Sequence, residues 1–450
     1  PGYTVVPKLL LIDPGAVCDV DGLHQLFSIV SKDVDGRQRT VVQSPSGLTK
    51  AQLGSLGFLH EIAVGDVVDE LQNTELIHAR HVPNEYALGM KQFMSWAAEL
   101  LATGERAFLR VSKTCRSCQF RASDPATERS GVHDCWELAR SQGLIQGVPL
   151  QGPLHSSLSI DVWGGGSGAK SYADDILNKS RAYLSDIQED DIRPKTDKPV
   201  AGMSPFERRM AQVDAAQHPK SAPVLSGDIL SEMDAWEWPL HMIDFETSAP
   251  AVPFFAGMRP YETLAFQFSH HVMDKRADGT LHIRHASQWI STASGTFPSI
   301  QFVRQLRQAL MPNGVLHGTV FRYHNHENTV LRSLRKVIAA QSSDRVPDQV
   351  DLVAFIDLIT KSTGNEADDV GEHVGVKPMV DLHQLVQKGY FSKHMQGSIS
   401  LKYVLPAVLK DAPGVALIYS QPGVYGKGMA IESLNFDHPA GHQWLQADKG

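Results

Sequence analysis

Apolar and polar positions alternate most clearly between residues 239 and 290. Pro239 to Ile243 read as a buried strand, and Tyr261 to Met273 alternate through Leu264, Phe266 and Phe268. Asp278-Gly279 is a strong hairpin signal, so Leu281 to Trp289 is predicted as the return strand. The period then becomes helical. Ile300, Val303, Leu306 and Leu310 predict a helix over Pro298 to Met311, stopped by Pro312-Asn-Gly314. Val315 to Tyr323 is predicted as a strand, and Val330, Leu331, Leu334, Val337 and Ile338 place a second helix over His326 to Ala340. Shorter amphipathic helices are predicted at Asp351 to Thr360 and Met379 to Val386. Ser398 to Pro406 follow, with Ser398 or Ser400 placed to cap a helix carrying Lys402.

The N-terminal part is less regular. Lys8 to Ile12 read as a short strand before an Asp13-Pro14-Gly15 turn. Lys50 to Leu71 and Asn84 to Thr103 carry apolar residues at spacings of three and four. In the second stretch Tyr86, Met90, Phe93, Trp96, Ala97 and Leu100 form one helical stripe suited to core packing. Gln151 to Lys170 read as a loop, and its run Trp163 to Gly168 lacks the Gly-Lys-Ser/Thr close of a phosphate-binding loop. Lys170 to Ile187 and Phe206 to Gln217 read as helices, and Glu189 to Pro205, rich in charge and proline, reads as a linker. The expected organisation is an N-terminal region over 1–188, mainly helical, a linker over 189–223 and a domain over 224–450.

The order β-β-β-α-β-α in the C-terminal half is that of a ribonuclease-H-like core, an α/β fold with a mixed sheet flanked by helices. On the first strand, residues i and i+2 share a face. Asp244 and Glu246 therefore point one way and Phe245 turns to the core. Two carboxylates on one strand end call for a positive partner, and a hard cation such as Mg²⁺ or Mn²⁺ suits them. Glu327 opens the helix after the fourth strand, where the helix dipole favours an anion. His324 and His326 flank it and are candidates for a general base. Asp381 and Lys402, with Asp357 and His383, are further candidates for the same cleft.

Three of the four cysteines lie close in sequence, as Cys115-Arg-Ser-Cys118 and Cys135. A C-x₂-C pair with a third thiol nearby suits one soft metal. With His133 as fourth ligand the set suits Zn²⁺; with Cys18 it suits Zn²⁺ or an iron–sulfur cluster, and a residue outside this chain is the third candidate. The formal charge of −8 excludes a globally basic nucleic-acid binder but leaves a nuclease open, since cations and local patches can meet phosphate. No run is long enough to span a membrane and no signal peptide is visible, so a soluble cytoplasmic protein is expected.

Taken together, Ile243-Asp-Phe-Glu-Thr247, Gly257 to Glu262, Phe266-Gln-Phe-Ser269, Tyr323 to Leu331, Val380-Asp-Leu382, Gly397 to Pro406 and Ser433-Leu-Asn-Phe436 resemble a bacterial family, domain of unknown function 2779. The resemblance covers about Trp236 to Trp444. It implies a ribonuclease-H-like 3′–5′ exonuclease of the four-carboxylate class, acting on DNA or RNA, with Asp244 and Glu246 on the cations and Glu327 in the position of the second acidic motif. The Cys115, Cys118, Cys135-Trp136 cluster is similar to the iron–sulfur segment of restriction-like nucleases. The resemblance also implies that relatives carry more chain at both ends, including a downstream Asp as fourth carboxylate, so truncation at both ends is expected. Two alternatives remain open at this point. One is a non-catalytic nucleic-acid-binding or scaffolding module on the same fold, and the other a metal-dependent hydrolase acting on nucleotides.

Overall fold

The computed structural model describes residues 6–43, 58–73, 90–105, 111–122, 128–143, 145, 158–165, 172–192, 201–363 and 371–420. The chain divides into two compact units, Pro1–Asp66 with Trp236–Leu382 and Val67–Ala235 with His383–Gly450.

The first unit is built on a five-stranded mixed sheet. Its strands are β1 (Leu240–Ser248), β2 (Leu264–Lys275), β3 (Leu281–Ile290), β4 (Thr319–Arg322) and β5 (Val380–Asp381), in the order β5-β4-β1-β2-β3. β1 and β2 pair antiparallel, as do β2 and β3, while β1, β4 and β5 run parallel. The turn between β2 and β3 is the Asp-Gly signal itself. Gly279 takes φ 81°, and Asp278 Oδ1 accepts from the Thr280 amide at 2.9 Å. Helices α1 (Ser299–Leu310), α2 (His326–Ala339) and α3 (Gln349–Ile359) supply the rest of the core. Phe302 of α1 is its hub, with edge-on contacts to Phe245 (4.9 Å), Phe268 (5.7 Å) and Trp289 (6.2 Å), one from each of β1, β2 and β3. The turn into β4 needs glycine, because a Cβ on Gly318 would stand 1.9 Å from the Pro239 carbonyl oxygen.

Two predictions fail in this unit. Met379 to Val386 is not one helix. Val380 and Asp381 form β5 against Phe321 and Arg322, and the helix begins only at Leu382. Pairing with β4 and the burial of Met379 override the helical period over those residues. The start of the chain is strand-rich rather than mainly helical. Lys8–Ile12 pairs with Leu59–Ala63, and Ser28–Val34 pairs with Arg37–Gln43 around an Asp35-Gly36 turn with both φ positive. Within the stretch Lys50 to Leu71, with its apolar spacings of three and four, a helix forms from Gly65 (Gly65–Asn73), and residues 50–57 lie outside the described ones.

In the second unit, Met90–Thr103 is helical as expected, while Tyr86 lies outside the described residues. The helix over Lys170 to Ile187 shrinks to Tyr172–Asn178, followed by a turn through Ser180 and a short 3-10 segment at Leu184–Asp186. The helix expected over Phe206 to Gln217 is present. Pro205–Gln217 is a helix capped by Ser204 and Glu207, and it buries Arg208, Arg209, Gln212 and Val213. Arg208 donates to the carbonyls of Val386, Gln387 and Tyr390 and lies over the Trp163 ring at 5.5 Å. Leu401–Asp411 continues past the expected stop at Pro406. Ser400 stands at its N-cap without a side-chain cap bond. The loop at 151–157 and 166–170 and the Ser433 to Phe436 stretch lie outside the described residues.

Candidate functional site

The alternation expected on β1 is present. Ile243 and Phe245 are buried, and Asp244 and Glu246 are exposed on the other face. The ladder between β1 and β4 covers only Leu240 to Met242. Asp244 and Glu246 thus lie beyond the end of β4, on the side where the chain turns through Tyr323 to Asn325 into α2. This is the carboxyl end of the parallel strands, where open α/β sheets present their ligand-binding loops.

Glu327 sits in the first turn of α2 and is only 4% exposed. Its Oε2 is buried without a hydrogen-bond partner. Burial pushes the carboxyl up to about 7, and the carboxylates of Asp244 and Asp381 add to the shift, against its own backbone amide and Arg322. The counter-charge inside this cluster is a residue that sequence reading misses. Arg322, the last residue of β4, is 1% exposed, and its Nη1 lies 3.3 Å from Asp381 Oδ2. The same Nη1 donates to the His324 carbonyl and, at 3.2 Å, to Asn325 Oδ1. Asp381 Oδ1 in turn accepts from the His324 amide at 2.9 Å, which holds His324 at φ 68°. The parallel register, with Asp381 directly opposite Arg322, makes this pair. Nothing in the local sequence marks Arg322; a two-residue strand brings Asp381 to it.

The remaining candidates separate. His326 Nε2 lies 3.4 Å from Thr247 Oγ1, beside the carboxylates, and His324 forms the turn. Asp357 is already paired. It takes hydrogen bonds from Arg332 and Arg335 at 2.7 Å, which hold its carboxyl below the usual range despite burial. Lys402 is exposed on the first turn of its helix, and His383 is half-buried on Leu382–Gly389; both belong to the second unit.

The donor set Asp244, Glu246 and Glu327 is all oxygen, and the buried Glu327 Oε2 has no hydrogen-bond partner. Both features fit a hard divalent cation. Among the described residues, no group of three or more His, Cys, Asp or Glu side chains is placed to hold a metal ion, so the fit rests on donor chemistry alone.

In the second unit, Cys115, Cys118 and Cys135 are half-buried beside Trp136 and Val132. The Ser112 amide donates to Cys115 Sγ at 3.4 Å. Burial raises the Cys115 and Cys135 thiols, and neighbouring cysteines raise both further. The three thiols influence one another's charge, but among the described residues they do not form a group placed to hold a metal ion. Two of the fourth ligands weighed from sequence can be located. His133 shares a helix with Cys135 two positions away, about 200° around the axis, so the two point apart. The Cys18 thiol donates to the Val20 carbonyl at 3.1 Å within the first unit.

No described helix is long and apolar enough to cross a membrane. Among known proteins, residues 241–400 match the model of a family described as a domain of unknown function (DUF2779). No curated protein and no solved structure matches the chain.

Proposed function

We propose, from the premise that residues 241–400 belong to the DUF2779 family, that the chain is a divalent-cation-dependent nuclease, a 3′–5′ exonuclease acting on DNA or RNA. The observation that carries this is the cluster of Asp244, Glu246 and buried Glu327 at the carboxyl end of β1 and β4, charged beyond what Arg322 balances. The strand order β5-β4-β1-β2-β3, with β2 alone running against the other four strands, supports a ribonuclease-H-like architecture.

Asp244, Glu246 and Glu327 would hold Mg²⁺ or Mn²⁺, which supplies positive charge to phosphate oxygens and acidifies a water nucleophile. Asp381 is a positioning residue. Bound to Arg322 and to the His324 amide, it fixes the turn that presents Glu327. His326, held beside Thr247, is placed to take a proton from an attacking water, with His324 next to it in the turn. Cys115, Cys118 and Cys135 would hold Zn²⁺ or an iron–sulfur cluster in a structural role.

A non-catalytic nucleic-acid-binding or scaffolding module is the second reading. The Arg322–Asp381 pair favours it, because it withdraws one carboxylate from the cluster. Calorimetric titration with Mn²⁺ separates the two. The nuclease reading requires saturable binding that Glu246→Gln and Asp244→Asn each weaken. A titration that both variants leave unchanged removes the cation from this site and the nuclease with it.

A further inference from the structure

At the other end of the same sheet, where the parallel strands begin, lies a cavity of about 410 Å³. Val272, Leu310, Pro312 and Val315 give it apolar walls, and Ser287 and Arg284 of β3 face it with His241 and His270. These groups form a hydrogen-bonded chain. His241 Nε2 is 2.9 Å from the His317 carbonyl oxygen, His241 Nδ1 is 2.9 Å from His270 Nε2, and His270 Nδ1 is 3.0 Å from Ser287 Oγ. A carbonyl only accepts, so His241 carries its proton on Nε2 and accepts at Nδ1. His270 must then donate from Nε2 and accept at Nδ1, and Ser287 donates to it. The Ser287 proton is committed inward, and its oxygen lone pairs remain for the cavity.

Arg284 supplies the charge. Its Nε donates to Asp274 Oδ2 at 3.1 Å, and its Nη groups meet no acceptor among the described residues. We infer that this cavity binds a small organic carboxylate with an apolar body, its anionic group on Arg284 and any adjacent hydroxyl donating to Ser287. Apolar walls with few fixed polar groups are the usual make-up of a small-molecule site. The local field agrees. The His270 imidazole is pushed down to about 3, first by burial, then by His241 and Arg284. At His241 the Asp274 charge enters only after that of Arg284. Such a weak base does not activate Ser287 as a nucleophile, so the chain orients the hydroxyl for binding.

The test is calorimetry on the full chain with phenylacetate, mandelate and phenylacetamide. Both acids are expected to bind saturably and the uncharged amide not to bind. Mandelate, which adds a hydroxyl, is expected to bind more tightly than phenylacetate, and Ser287→Ala to remove that advantage. Arg284→Met is expected to weaken both acids by about tenfold or more, the scale of a lost charged hydrogen bond. Arg284 is exposed, so this change does not threaten the fold. Failure of the acids to bind, equal binding of the amide, or unchanged affinity in Arg284→Met overturns the assignment. So does an Asp244→Asn variant that loses the acids, since that places them at the carboxylate cluster.

Discussion

Glu327 is buried close enough to Asp244 for the Asp244 charge to raise its carboxyl, and its Oε2 meets no donor. A protein that only needed to fold would gain by replacing it. The folded-state pKa is raised from 4.5 to about 7, so the native state holds this proton more tightly than the unfolded chain. Below pH 4.5 both states are protonated and there is no penalty. Stability falls as pH rises from 4.5 to about 7 and stays low above it, by on the order of 3 kcal/mol. In EDTA, Glu327→Gln is expected to raise the urea midpoint at pH 8 and to leave it unchanged at pH 4.5. An equal effect at both values points to packing instead.

Arg322 and Asp381 form the buried pair that anchors the turn. Their side chains are 1% and 6% exposed, so water cannot replace a lost partner. Arg322→Met is expected to destabilise the fold by about 3 kcal/mol or more, because it strands a buried carboxylate. Arg322→Met with Asp381→Asn is expected to recover much of that loss. Urea denaturation of the two single variants and the double variant measures the coupling, and additive losses contradict it.

The His241–His270 pair sets an acid limit. Burial depresses both imidazoles in the folded state, His270 to about 3. The unfolded chain therefore takes up these protons first, and stability is lost as pH falls below about 6.5 towards 3, at up to about 1.4 kcal/mol per pH unit per group. His270→Asn is expected to flatten this slope. A slope unchanged by the substitution assigns acid unfolding to other groups.

The three clustered thiols make a prediction about metal content. Elemental analysis of the protein purified without chelator is expected to find zinc or iron bound, and Cys118→Ser to lose it. Metal-free wild type under the same conditions contradicts the soft-metal reading.

How legible was this in the sequence? The carboxylates on β1 were, because strand alternation is local: Asp244 and Glu246 go out and Phe245 goes in. So was the β2–β3 hairpin, whose Asp-Gly turn is a two-residue signal. The same signal stands at Asp35-Gly36 and marks the Ser28–Val34 hairpin. Arg322 was not legible. Its role depends on a register with Asp381, 59 positions away, through a strand of two residues that reads as the start of a helix. The chain from His241 through His270 to Ser287 was hidden for the same reason, since three strands must be aligned before it exists. Local pattern carries the donors of the site, and tertiary register carries what charges and orients them.

The most direct measurement is degradation of end-labelled single-stranded DNA and RNA in Mn²⁺, comparing this chain with Asp244→Asn. Progressive shortening from the 3′ end is expected with the wild type and none with the variant, with both folded by circular dichroism. Shortening by both, or by neither while both are folded and the wild type binds Mn²⁺, contradicts the nuclease reading.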